Sequence, residues 1–233
     1  MNILVIDTAS PLEIIAASRG DAAAETSIAV NTSHSVTILD TIDRCLAKLG
    51  LAAADINCLG VGVGPGSFTG IRIAVSTARM MAQVLGIPLV GLPTHLLYAV
   101  SVNGERGENI MVAFDAKKGR VFGALYRKSG SLLAPQEIIP PGDYGIERLL
   151  DGVDISAKTH LIGNGTEKYR EALLSLERGV FDVDFVPSGE RMCGLVRETF
   201  RSDPSRFKDY NRVVPRYARK SDAEVAKELK EKQ

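Results

Sequence analysis

Val61-Gly62-Val63-Gly64-Pro65-Gly66-Ser67-Phe68-Thr69-Gly70-Ile71-Arg72-Ile73 joins an apolar strand to an apolar helix through a turn of glycines, one proline and two hydroxyls. Gly64, Gly66 and Gly70 permit positive φ or close backbone approach, which costs other residues roughly 1–2 kcal/mol each. Pro65 stiffens the turn and removes one donor. Ser67 or Thr69 can cap the helix that follows, and the N–H groups of that helix end suit an anion or a partner carboxylate. Known phosphate loops do not fit. The Lys-Ser/Thr pair of a Walker A loop is missing, and Gly64-x-Gly66-x-x-x-Gly70 misses the dinucleotide spacing by one residue. Two readings stay open: a capped strand-to-helix connection, or a phosphate site using Gly64, Gly66, Ser67, Thr69, Gly70 and Arg72.

Upstream of this loop, apolar runs at residues 3–6, 12–18 and 24–30 read as three antiparallel strands, the first ended by Asp7 and Thr8. Ser33 or Ser35 can cap a helix that runs to about Leu49 and stops at Gly50, with Ile38, Ile42, Cys45 and Leu49 on one face. A strand at 57–63, a helix at 71–85 and a strand at 89–92 follow. The order β-β-β-α-β-α-β implies a mixed α/β sheet with helices packed on it.

The helix at 71–85 has Arg72, Ser76, Arg79 and Gln83 in one narrow stripe, while Ile71, Ala74, Val75, Ala78, Met81, Ala82 and Leu85 cover most of the remaining circumference. One sheet cannot bury so wide an arc. Such a helix lies inside its own domain or meets a second partner, either another helix or another subunit.

The polar, glycine-rich stretch 103–109 marks a lobe boundary, giving lobes 1–104 and 105–233. Beyond it, 110–115 and 121–126 read as a hairpin about a basic turn. Residues 132–139 lead to Pro140-Pro141-Gly142, 160–162 to Gly163-Asn164-Gly165-Thr166, and helices are expected at 167–176 and 192–200. Residues 201–220 hold seven Lys/Arg against two Asp, and 221–233 are of mixed charge. The tail after about 205 has the length to pack back on the first lobe. No fixed-period repeat is visible.

The chain has 233 residues, 45% of them hydrophobic, with 28 Lys plus Arg balancing 28 Asp plus Glu. A sizeable core follows, and whole-molecule attraction to nucleic acid does not. Cys45, Cys58 and Cys193 are odd in number and far apart, which excludes a disulfide framework and zinc-knuckle spacing. Asp7 interrupts the apolar start and no basic segment precedes it, so no signal peptide is expected. No apolar run approaches the ~20 residues that span a bilayer. A cytoplasmic protein without membrane contact is the expectation.

His34, His95 and His160 have neither i, i+3 nor i, i+4 spacing, so no metal site is expected. Ser67 lacks the G-x-S-x-G frame of a hydrolase nucleophile. Asp115 beside Lys117, Lys118 and Arg120 is either a solvated turn or a binding cluster. Asp7 and Thr8 end a strand where α/β folds bind ligands, or form an ordinary Asx turn.

The motifs Ile6-Asp7-Thr8, His34-Ser35, the glycine loop, Asp115-Ala116-Lys117-Lys118-Gly119-Arg120-Val121-Phe122 and Pro215-Arg216-Tyr217-Ala218-Arg219-Lys220-Ser221-Asp222-Ala223-Glu224 together resemble the TsaB (YeaZ) family. The resemblance spans nearly the whole chain in order, though 130–204 matches only in general character. It implies an actin-like (ASKHA, ribonuclease H-like) two-lobed fold and a non-catalytic scaffold in the synthesis of threonylcarbamoyladenosine at position 37 of tRNA. The implied partners are the paralogue TsaD, which transfers the threonylcarbamoyl group, the ATPase TsaE, tRNA through the complex, and a second copy of the chain when TsaD is absent.

Asp7 and Thr8, where that fold holds a metal-nucleotide, join the loop as the implied nucleotide residues. No cofactor is required by this chain, and ATP or ADP would be shared at a complex interface. The implied docking residues are Ile38, Ile42, Cys45, Leu49, Ala74, Ala78, Met81 and Leu85. TsaD carries a metal-binding His-x-x-x-His; aligned through Pro88, those positions here are Thr94 and Tyr98, so the scaffold is favoured over the transferase. The rival reading is an enzyme of the same fold acting by itself, a nucleotide-dependent transferase or a metallopeptidase.

Overall fold

The computed structural model describes residues 1–29 and 34–219. Val30, Ser33, the side chain of Ser35 and residues 220–233, to which strand, cap and tail roles were assigned above, lie outside the described residues. Strands β1 (Asn2–Asp7), β2 (Leu12–Arg19) and β3 (Ala22–Ala29) form an antiparallel meander. After helix α1 (His34–Ala47), β4 (Cys58–Gly62) pairs parallel to β1. Helix α2 (Phe68–Leu85) leads to β5 (Leu89–Leu92), which pairs parallel to β4. The strand order is β3-β2-β1-β4-β5.

After α3 (Thr94–Ser101) the pattern is repeated. Strands β6 (Asn109–Lys117), β7 (Arg120–Arg127) and β8 (Gln136–Tyr144) form a second meander. Helix α4 (Ile146–Leu150) precedes β9 (Thr159–Ile162), which runs parallel to β6. The short helices α5 (Asn164–Lys168) and α6 (Arg170–Leu173) then precede β10 (Gly179–Asp182), parallel to β9, and α7 (Gly189–Ser202) follows. Both sheets therefore share one topology, although the sequence carries no visible repeat.

Some elements depart from expectation for local reasons. β8 runs through Pro140-Pro141-Gly142, which only an edge strand with register shifts tolerates. The helix expected at 167–176 is broken at Tyr169, whose φ of −108° and ψ of 26° leave the helical region. Helices α3 and α4 and strand β10 were not anticipated from sequence.

Apolar residues on β1 alternate between two cores. Leu4 and Ile6 point with Ile15, Leu59 and Val61 toward α1 and α2, while Ile3 and Val5 point with Ile14, Ala16 and Cys58 toward α3 and α7. On β6, Ile110, Val112 and Phe114 join that same inner core, and Met111 and Ala113 face α4 and α6. The layers run α1/α2, first sheet, α3/α7, second sheet, α4/α6. Helix α7 lies past the 104/105 boundary in sequence yet packs on β1, β2 and β3 of the first sheet.

The tail returns as well. Val213 is buried in the core beneath α2, and the Arg216 backbone N–H donates to Val63 O at 2.8 Å.

Candidate functional site

The glycine loop sits where β4 ends and α2 begins, against the chain leaving β1. Gly64 adopts φ +94°, a left-handed conformation that L side chains rarely take. Gly66 and Gly70 are set by close approach: a Cβ on Gly66 would lie 2.2 Å from Ala9 O, and one on Gly70 would lie 1.8 Å from Thr8 O. The Ser67 N–H donates to Ala9 O at 2.7 Å, and Thr8 Oγ1 donates to Gly70 O at 2.6 Å. The face that a phosphate would need at these glycines is thus filled by the backbone of Thr8 and Ala9. Ser67, not Thr69, caps α2: its Oγ accepts from the Gly70 N–H at 3.2 Å, and Thr69 is exposed.

Asp7 and Thr8 are fully buried. The Asp7 carboxylate accepts from Thr94 Oγ1 at 2.6 Å and from the Ala9 N–H at 3.0 Å, while Thr94 Oγ1 accepts from the Gly64 N–H at 3.2 Å. Gly62 leaves room for this carboxylate, since a Cβ there would fall 1.6 Å from Asp7 Oδ2. Burial pushes the Asp7 carboxyl up to about 6, against the pull of the hydrogen bonds from Thr94 and Ala9. Beside it His95, also fully buried, is pushed down to about 4 by burial. Its Nε2 lies 2.9 Å from Phe122 O, so that nitrogen carries the proton of a neutral imidazole. Tyr98, one helical turn beyond Thr94, donates to Ser10 Oγ at 2.7 Å.

A cleft of about 430 Å³ opens between the lobes, lined by Gly66, Ser67 and Phe68 from the loop, Asp115 to Lys117 and Phe122 from the hairpin, and Tyr217 to Arg219 from the tail. Of the anticipated nucleotide residues, only Gly66 and Ser67 line it; Asp7, Thr8, Gly64, Thr69, Gly70 and Arg72 do not. Arg72 lies 4.0 Å over the Phe68 ring and donates to the Tyr217 hydroxyl at 2.8 Å, with Phe68 and Tyr217 stacked at 4.5 Å.

The cations around the cleft are engaged. Arg219 donates to Ala116 O at 2.6 Å and lies 3.9 Å from Asp143, and Lys117 pairs with Asp115 at 2.8 Å. Burial alone would raise the Asp115 carboxyl, but hydrogen bonds from Lys117 and Lys168 outweigh it and hold it at about 2. Asp115 with its lysines is therefore a paired turn. Among the described residues no group of three or more His, Cys, Asp or Glu is arranged to hold a metal ion.

The anticipated docking residues need correction. Ile38, Ile42, Cys45, Ala74 and Ala78 are buried in the chain's own core, and Leu49, Met81 and Leu85 are partly buried. The wide apolar arc of α2 finds its second partner within the molecule, because α1 flanks it and Tyr210 and Val213 of the tail join the same core. Among the described residues, the large apolar side chains that α1 and α2 leave to solvent are Leu39, Met80 and Val84, exposed by 56%, 53% and 78%. Sequence reasoning missed Thr94, Tyr98 and Tyr217 as the groups that tie this joint together. Tyr217 lay within a quoted motif, but nothing in sequence placed it on Phe68.

A family model described as the tRNA N6-adenosine threonylcarbamoyltransferase TsaD matches residues 27–227. The tRNA threonylcarbamoyladenosine biosynthesis protein TsaB of Bacillus subtilis is 32% identical over 142 residues, and that of Escherichia coli 33% over 130. The chain belongs to the TsaB (YeaZ) family. The aligned stretches cover 60% and 55% of this chain, and 60% and 56% of those two TsaB proteins.

YeaZ from Pseudomonas aeruginosa superposes with a TM-score of 0.74 at 21% identity, covering 93% of this chain and 99% of that one. A Pseudomonas aeruginosa protein described as similar to the peptidase YEAZ gives 0.76 at 21%, covering 94% and 99%. At that identity the likeness establishes the fold, and the repeated topology agrees with the actin-like architecture expected of a TsaB chain. Among the described residues no helix is long and apolar enough to cross a membrane.

Proposed function

We propose that this chain is a non-catalytic subunit of the machinery that makes N6-threonylcarbamoyladenosine at position 37 of tRNA, supporting a TsaD-type transferase. The observation that carries this reading is what occupies the two positions at which the resemblance to TsaD places metal-binding histidines. Thr94 and Tyr98 stand there, both buried, with their hydroxyls committed to Asp7 and Ser10. Neither offers an imidazole, and a metal at this place would have to break the joint that seats the glycine loop.

Docking uses the outward ridge of α1 and α2 around Leu39, Met80 and Val84, and two copies of the chain pair through it when the transferase is absent. TsaE and tRNA join through the assembled complex, in the cytoplasm. The nucleotide reading is narrower than the glycines suggest. This reading gives the chain no cofactor of its own: Thr8 and Ala9 close the faces of Gly66 and Gly70, and Lys117 and Arg219 at the cleft are paired, so ATP or ADP would be held only with groups supplied by a partner.

The test is co-purification with TsaD from the same organism, using Met80→Glu combined with Val84→Glu. The double variant keeps its far-UV spectrum and urea midpoint and loses the partner. A folded variant that still co-purifies undiminished would overturn the docking surface. Transfer of threonylcarbamoyl to tRNA by this chain without TsaD would overturn the non-catalytic assignment.

A further inference from the structure

The tail concentrates positive charge in a molecule whose total charge is balanced. Arg201, Arg206, Lys208, Arg212 and Arg216 are all exposed, on a segment with only Asp203 and Asp209 as acidic residues. Arg206, Arg212 and Arg216 are spaced along the rim of a cleft of about 290 Å³ between this strap and the edge strand β5, which is also lined by Val63, Leu89 and Gly91. Asp209 faces Arg212 at 3.4 Å. Asp203 is held by Ser205, at 2.6 Å, and caps the short turn that begins at Pro204. Among the described residues no carboxylate lies within ion-pair distance of the guanidinium groups of Arg206 or Arg216.

The strap is firmly placed. Val213 is buried, the Arg216 N–H bonds to Val63 O, and Arg79 of α2 donates to Asn211 Oδ1 at 2.6 Å. Ordered cations presented by a fixed backbone lose little entropy when they meet an anion.

We infer that this arginine-lined strap binds the phosphate backbone of an RNA, which is tRNA if the function proposed above holds. Three features favour RNA over a single small anion. The cations are distributed along the strap, so they match a polymer with repeating phosphates and not one compact charge. An exposed aromatic ring accompanies them: Tyr217 is 41% exposed, with one face already stacked on Phe68. The strap also adjoins α2, so a strand lying on it would run beside the proposed docking ridge.

The test measures binding of unmodified tRNA to the full chain, alone and with TsaD, across a series of salt concentrations. Arg206→Glu combined with Arg216→Glu is compared with Arg148→Glu combined with Arg178→Glu, which makes the same charge change at exposed positions of the second lobe. The strap variant weakens tRNA binding by about tenfold and lowers the log–log salt slope by about 1.5, while the control variant leaves both unchanged. Equal losses in both variants, or no loss in the strap variant, would overturn the inference. Because the strap variant leaves Met80 and Val84 intact, TsaD co-purification reports separately on the proposed function.

Discussion

At the residue scale, the glycine loop is a packing device. Gly70→Ala would drive a Cβ into Thr8 O at 1.8 Å, a backbone contact that cannot swing away. This substitution is expected to cost about 3 kcal/mol or more, read as a fall in the urea midpoint. Gly86→Ala meets nothing within 4 Å and carries only the strain of φ +66°, so it should cost about 1 kcal/mol. Similar losses at the two sites would contradict the packing role.

Asp7 supplies a pH signature. Its folded pKa of about 6 lies above the ordinary 3.8, so between those values the folded protein holds a proton that the unfolded chain has released. This group's contribution to stability is therefore full below about 4 and falls as pH rises through 6, by about 3 kcal/mol. His95 acts oppositely: its folded pKa of about 4 lies below 6.5, and stability is lost as pH falls through that window. The two slopes mask each other in the native chain. Asp7→Asn should unmask the His95 slope, with the variant gaining about 3 kcal/mol relative to the native protein between pH 4 and 7 in urea unfolding. A constant difference across that range would refute the assignment.

At the scale of elements, α2 separates what periodicity can and cannot say. Its 3.6-residue pattern announces a helix with a wide apolar arc, but the pattern is silent on which neighbour covers each part. Ala78→Glu would force a carboxylate into the core and unfold the chain, so it cannot serve as a docking probe. Met80→Glu, at a position 53% exposed, should change stability by less than about 0.5 kcal/mol in the same urea assay.

Elements with strong local signals were legible: β1, β5, the β6–β7 hairpin and α2 with its stop at Gly86. Helix α3 was not, because His95, Leu97, Tyr98, Ala99 and Val100 are buried around its circumference and leave no amphipathic stripe. Strand β10 was missed because it is a short edge strand with Phe181 and Gly179 half-buried and its other residues exposed.

For the whole molecule, the central layer α3/α7 is shared by both sheets. A fragment of residues 1–104 would keep β1 to β5 but lose α7, leaving Val5, Ala16 and Cys58 without their cover. Such a fragment should bind a hydrophobic dye and unfold without a sharp urea transition, whereas the full chain unfolds in one step. A cooperative transition in the isolated fragment would show that the first lobe is self-sufficient.

By itself, the amino-acid sequence determined the order β-β-β-α-β-α-β of the first lobe with its meander, the β6–β7 hairpin and the glycine loop, because periodicity, caps and turn residues act over a few positions. It also carried the family motifs. Only the tertiary structure decided that the loop's glycines accommodate Thr8 and Ala9, that the residues expected at an interface lie in the chain's own core, and that the tail straps both lobes at Val63 and Ala116. Each of these depends on which distant segment fills a space, and that follows from close packing of the whole chain rather than from any local preference.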